Sequence, residues 1–146
     1  PSLLKTKDAK LVSKYVMTFE ELLSKDKKSL NLKPLKAKAL LHGHCHQKAF
    51  NVLESVEKVL SFIEGLKVEK IETSCCGMAG SFGYSKETYD FSMKMAEKDL
   101  LPKIREADKN TILIADGTSC RSQIVDGSER EAIHVARLLD QQLLNN

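Results

Sequence analysis

From residue 37 onward, short apolar runs alternate with longer segments of helical periodicity, and this alternation restricts the fold more than any other feature of the chain. Ala37–His42, Val68–Thr73 and Thr111–Ala115 read as buried strands, the last of them rich in β-branched residues. Between the first two, Ala49, Val52, Leu53, Val56, Val59, Leu60, Ile63 and Leu66 form one stripe along an expected helix Gln47–Leu66, with Gly65 near its end. Tyr89, Met93, Ala96, Leu100 and Ile104 mark a second helix, with Ser85 as the expected cap and Pro102 near its end. Ser128 and Glu131 have capping-box spacing before a last helix, where Ala132, Val135, Ala136, Leu139 and Leu143 share a face. Strand and helix in turn, three times over, give a βαβαβα core. The expected architecture is a three-layer, Rossmann-like α/β domain with a mainly parallel sheet and right-handed crossovers.

Upstream of this core, Val12, Tyr15, Val16, Phe19, Leu22 and Leu23 recur at helical spacing over residues 8–24, with Asp8 as a candidate cap. Thr18 and Glu21 form a second capping-box pattern where that helix can break and restart. Residues 24–36 are rich in Lys and Ser and contain Pro34, as a loop does. The division expected is therefore an N-terminal helix and basic linker over residues 1–36, followed by one α/β domain over 37–146.

Charge narrows the classes of partner. Residues 1–40 carry ten lysines against four acids, while the whole chain of 146 residues is only +3. That balance is too mild to argue for nucleic acid, and the basic stretch reads first as a solvated helix face. No apolar run approaches the ~20 residues that span a bilayer, and no signal peptide is visible. Four cysteines in a chain of this size do not suggest a secreted disulfide scaffold. The expectation is reduced thiols in a cytoplasmic setting, and the start at Pro1 suggests a piece of something longer.

The cysteines fall in a pattern. Cys45 follows the first expected strand, Cys75 and Cys76 the second, and Cys120 the third. In a parallel sheet those strand ends share one edge, the edge where α/β folds bind ligands. Four small buried hydrophobes would not be expected to collect in this way, and vicinal Cys75 and Cys76 make a poor disulfide. Thiolates select zinc, copper(I) or iron–sulfur clusters. Helix N-termini expected after Cys45, Cys76 and Cys120 would favour the thiolate form. Gly77, Gly80 and Gly83 let the backbone pass close to a bulky group and aim amides at sulfur. The same loop lacks the full form of a phosphate loop. His42, His44 and His46 alternate around Cys45, as zinc ligands, as hydrogen-bond partners of ligands, or as loop histidines bonded to backbone. Asp116 and Arg121 flank Cys120 as tuning charges or as a turn acid and a solvated base. Gln47 and Lys48 read as exposed polar residues and His134 as structural.

Three strings carry a resemblance. His44-Cys45-His46-Gln47-Lys48-Ala49, then Ser74-Cys75-Cys76-Gly77-Met78-Ala79-Gly80-Ser81-Phe82-Gly83-Tyr84, then Asp116-Gly117-Thr118-Ser119-Cys120-Arg121 resemble the CCG cysteine-rich domain. That domain occurs in heterodisulfide reductase B subunits, in glycolate oxidase iron–sulfur subunits, and in the C-terminal region of FAD-linked oxidases of the D-lactate dehydrogenase type. The resemblance runs from about Leu41 to Leu139. It implies a [4Fe-4S] cluster, or zinc in some members, on Cys45, Cys75, Cys76 and Cys120; from the residues themselves, His44, His46, Gly77, Gly80 and Gly83 are expected around it. It also implies electron transfer within a flavin-linked 2-hydroxy-acid dehydrogenase. The partners would be FAD-bearing and ferredoxin-like domains of the same parent protein, in the cytoplasm or at the inner face of its membrane. This chain departs from the family at Gln123, which stands where the last cysteine is usual, so a site needing five cysteines is in doubt. With no flavin site of its own, the chain is not expected to turn over substrate alone. The rival readings are a zinc-binding structural or docking module and a thiol enzyme using Cys45 with a neighbouring histidine.

Overall fold

The computed structural model describes residues 3–27 and 30–144; Pro1, Ser2, Asn145, Asn146 and, in the expected linker loop, Lys28 and Ser29 lie outside the described residues. The strands are β1 (Ala37–His42), β2 (Leu66–Lys70), β3 (Ile112–Ala115) and β4 (Ala132–Ile133). They form one sheet in the order β2-β1-β3-β4, and every pairing is parallel. Among the described residues seven α-helices accompany them: α1 (Lys7–Tyr15), α2 (Phe19–Leu23), α3 (Cys45–Ala49), α4 (Leu53–Leu60), α5 (Tyr89–Glu106), α6 (Thr118–Ser128) and α7 (Val135–Gln142).

Side chains alternate across a strand, and here the alternation separates two cores. Ala39 and Leu41 of β1 and Ile114 of β3 face α4 and α7, where they meet Val56, Val59, Leu60, Val135 and Leu138. Leu40, Leu113 and Ala115 face the other way, toward Leu100 and Ile104 of α5 and Ile124 of α6. The result is the three-layer α/β architecture expected from the sequence. From β1 the chain moves to β2 with α4 on one face. It then returns past β1 to β3 and β4 with α5 and α6 on the opposite face, as a single crossover hand requires. The direction of travel reverses between β1 and β3, which makes that gap the switch point of the sheet.

Several elements differ from the sequence expectation. The helix expected over Gln47–Leu66 is two helices, broken at Asn51, which adopts a left-handed φ of 56° that Asn tolerates better than most residues. Ala49 of the expected stripe is consequently exposed, as is Phe50 beside it, and burial begins at Leu53. α5 is capped at Thr88 rather than Ser85, because Ser85 ends a 3₁₀ turn over Phe82–Tyr84, and the helix continues past Pro102 to Glu106. Ser128 closes α6 and does not open the last helix. Glu129 turns left-handed at φ 56°, Ala132 and Ile133 become the edge strand β4, and His134 caps α7. A two-residue strand is too short for its periodicity to be read. The N-terminal segment does break at Thr18, whose hydroxyl and Glu21 form the expected capping box, but Thr6 rather than Asp8 caps α1. α1 buries none of its residues. No helix among the described residues is long and apolar enough to cross a membrane.

Candidate metal centre

Register explains how a histidine comes to lie among the cysteines. His42 pairs with Ala115 at the end of β1, on the face that also carries Leu40 and Leu113. It therefore points toward α5 and α6, where Cys76 and Cys120 are buried. The ligand atoms of His42, Cys76 and Cys120 all lie within 4.8 Å of one another. His42 Nδ1 sits 3.1 Å from Thr73 Oγ1, and Thr73 is itself held by Lys48 Nζ at 3.2 Å. Nε2 is buried and faces the sulfurs; it acts on Cys76, yet no hydrogen bond of good geometry reaches it. With Nδ1–H donated to Thr73, Nε2 offers a lone pair to a metal. In the other tautomer Nε2–H is a donor to sulfur.

The four thiols form two pairs whose members lie within hydrogen-bonding reach of each other. Cys76 pairs with Cys120 and Cys45 with Cys75, and each charge is felt across the whole set. All four are free thiols. Cys45 is the first residue of α3, and Cys120 lies in the first turn of α6. Cys76 is not followed by a helix, contrary to the sequence expectation. Its loop instead directs single amides at sulfur: Gly77 N–H donates to Cys75 Sγ at 3.3 Å, and Met78 N–H to Cys76.

Electrostatics divides the buried pair. Cys120 beside it, the neighbouring His42 ring and the Met78 amide all favour the Cys76 thiolate, outweigh burial and push its pKa down to about 4. Cys120, the donor, is pushed well above the thiol range, with burial adding to the effect. Burial also raises Cys45, and it lowers His44 with help from His46. The metal-free Cys76–Cys120 pair should therefore carry one thiolate near neutral pH. An unfolded chain holds protons on both thiols below about 8.5, so stability should rise with pH from about 4 to that value as the pair keeps one proton fewer. Above it the unfolded thiols ionise while Cys120 does not, and stability should fall. A melting-temperature profile against pH, compared with that of Cys76→Ser, checks this; a variant with the same profile as the wild type would refute it.

The glycines play distinct parts. Gly77 has φ +90°, and a Cβ there would lie 2.2 Å from the Ser92 carbonyl oxygen. Gly117 lets the His44 ring lie beside Cys120, since its Cβ would fall 2.3 Å from His44 Cδ2 and 2.9 Å from Cys120 Sγ. Gly83 packs on the Met78 thioether and Ser92, with no cysteine among its nearest neighbours, and Gly80 borders open space. His44 caps α3, accepting from the His46 amide at 3.3 Å, while the His46 side chain is exposed.

Sequence reasoning gave too little weight to the side chains that hold the loops together. Gln47 accepts from the His44 amide at 3.0 Å and donates to Asp116 at 2.7 Å, joining the Cys45 loop to the Cys120 loop across the switch point. Asp116 also accepts from the Val135 amide at 2.9 Å. Arg121 binds the Ala115 and Asp116 carbonyls rather than facing solvent alone. Gln123, fully buried, donates to the Cys76 carbonyl at 2.9 Å and to Ser92. Its place three residues after Cys120 can be read from the sequence, but its contacts cannot. Ser92 gave no sequence signal at all.

The chain is 31% identical over 116 residues to a subunit of the anaerobic glycerol-3-phosphate dehydrogenase of Escherichia coli (strain K12), matching 80% of this chain and 29% of that subunit. It is 35% identical over 97 residues to D-2-hydroxyglutarate dehydrogenase of Pseudomonas putida, matching 64% of this chain and 9% of that enzyme. The chain thus spans less than a third of the curated relatives it matches. No protein-family model matches it, and no solved structure matches it significantly.

Proposed function

We propose that residues 37–146 form a CCG-type domain that relays electrons within a larger flavin-linked dehydrogenase of 2-hydroxy acids or similar small alcohols. The observation that carries this reading is the arrival of four thiols, from three loops, at the switch-point edge of one parallel sheet. The donor set fits an iron–sulfur group. Four thiolates are the usual complement for a [4Fe-4S] cluster, amides already point at two sulfurs, and a buried imidazole nitrogen faces them without a partner. Cys45, Cys75, Cys76 and Cys120 would hold such a cluster, which supplies one-electron transfer when bound. The chain's own residues do the rest. Gly77 and Met78 stabilise thiolate charge, Gln47 and Asp116 hold two of the loops in register, and α5 and α6 shield Cys76 and Cys120 from water. Cys45 and Cys75 are only half-buried, which leaves an open side for an electron partner.

Dehydrogenase names among the relatives support the oxidoreductase theme, and the short coverage supports a place in a larger assembly. An open apolar groove lined by Leu3, Val12, Val16, Phe50 and Val52 extends to His46 and Gln47 and suits contact with another domain. One observation favours a second reading: His42, Cys76 and Cys120 alone make a compact trio that would suit a zinc ion in a structural role. The test uses the parent protein prepared without oxygen. In Cys76→Ser, flavin reduction by substrate should persist while electron delivery to a distant acceptor is lost. Full coupling in the variant, with iron at background, would favour the zinc module.

A further inference from the structure

The geometry points to a second cation site in this chain, built from Glu20, Asp116 and His134 and separate from the thiols. The three residues come from α2, from the loop after β3 and from the cap of α7, and their ligand atoms all lie within 4.8 Å of one another. Glu20 is only 5% exposed. Among the described residues, no hydrogen bond or ion pair reaches its carboxylate, although that carboxylate is aimed at two other ligand-type groups. Two carboxylates brought this close on largely buried side chains repel each other unless a positive charge lies between them.

The other two members are held as metal ligands commonly are. Asp116 is oriented by donors on both oxygens: Gln47 Nε2 at 2.7 Å on Oδ2 and the Val135 amide at 2.9 Å on Oδ1. His134 Nδ1 lies 3.6 Å from Asp116 Oδ1 and accepts from the Ala136 amide at 3.0 Å. Two carboxylates and one imidazole form an oxygen–nitrogen donor set, suited to zinc, manganese or iron(II) and not to the soft ions that thiolates select. An ion there ties the N-terminal helical segment to the carboxyl edge of the sheet. Asp116 would then serve both regions, holding the Cys45 loop through Gln47 and the N-terminal segment through the ion.

Ligation carries its own signature. Binding through Nδ1 uses the lone pair that now accepts from Ala136, and binding through Nε2 moves the ring proton onto Nδ1. Either way the Ala136 amide loses its acceptor. Cobalt(II) is the probe, because thiolate ligands give strong sulfur-to-cobalt absorbance and oxygen–nitrogen ligands do not. Titration of the whole chain should show cobalt taken up beyond the sulfur signal, together with a shift of the Ala136 amide resonance. Glu20→Gln should weaken that uptake at least about tenfold, the low end of what even an outer partner of a ligand contributes. His134→Asn, which keeps a capping side chain, should do the same, with the sulfur signal unchanged in both. Uptake that follows the sulfur signal alone, or variants that bind like the wild type, would overturn the site. So would an Ala136 resonance that responds to pH and not to cobalt, which would assign the charge between the carboxylates to protonated His134.

Discussion

Gly77→Ala is expected to be among the most damaging single-atom additions this chain can receive. The residue has φ +90°, a conformation that costs an L-residue roughly 1–2 kcal/mol. The new methyl would also lie 2.2 Å from the Ser92 carbonyl oxygen and 3.0 Å from the carbonyl carbon, and backbone cannot swing aside as a side-chain tip can. Together these should cost about 3 kcal/mol, the upper end of what one substitution usually does. The damage should not stop at stability. Gly77 directs its amide at Cys75 and accepts from the Ser92 hydroxyl at 2.8 Å, so moving it displaces Cys75 and Cys76 together. Urea unfolding and metal content, measured on the same preparation, should both fall. Gly80→Ala meets open space and bears only the left-handed backbone cost at φ +58°, so it should retain its metal. Equal losses in the two variants would remove the special role given to Gly77.

Gln123→Ala should be nearly as costly by a different route. The amide group donates to the Cys76 carbonyl at 2.9 Å, to Ser92 Oγ at 3.0 Å and to the Ser92 carbonyl at 3.2 Å, all in a fully buried setting. Truncation leaves these acceptors dry and opens a cavity behind the cysteine pair, at about 2–4 kcal/mol in all. Gln141→Ala, on an exposed face of α7, should fall within about 0.5 kcal/mol of the wild type. Gln123 thus supports the Cys76 peptide from behind. Its loss should lower metal retention although it offers no sulfur. A Gln123→Ala chain as stable as the Gln141 control would show that this buried network contributes little.

Strand–helix alternation was enough to give the parallel three-layer fold, because period-2 and period-3.6 burial leave separate traces in the apolar residues. It could not show the break at Asn51, where one left-handed residue interrupts an apolar stripe that reads as continuous. Nor could it show β4, whose two residues are too few to carry a period. The gathering of cysteines at one edge followed from their places after strands, since parallel strand ends share an edge. The entry of His42 into that group depended on register, which decides the face a strand residue takes and cannot be read from one strand by itself. The links from Gln47 to Asp116 and from Gln123 to Cys76 connect residues 69 and 47 positions apart, and a polar side chain gives no sign of a distant partner. Glu20 gave no sequence signal for the same reason.

The central claim is that the four cysteines hold an iron–sulfur cluster, and metal analysis tests it most directly. The chain, produced and purified without oxygen and then reconstituted with iron and sulfide, should carry about four iron and four sulfide per molecule. It should show broad visible absorbance that Cys76→Ser and Cys120→Ser each abolish. Iron at background under those conditions, with one zinc retained in the wild type and lost in His42→Ala, would contradict the claim and leave a structural zinc module in its place.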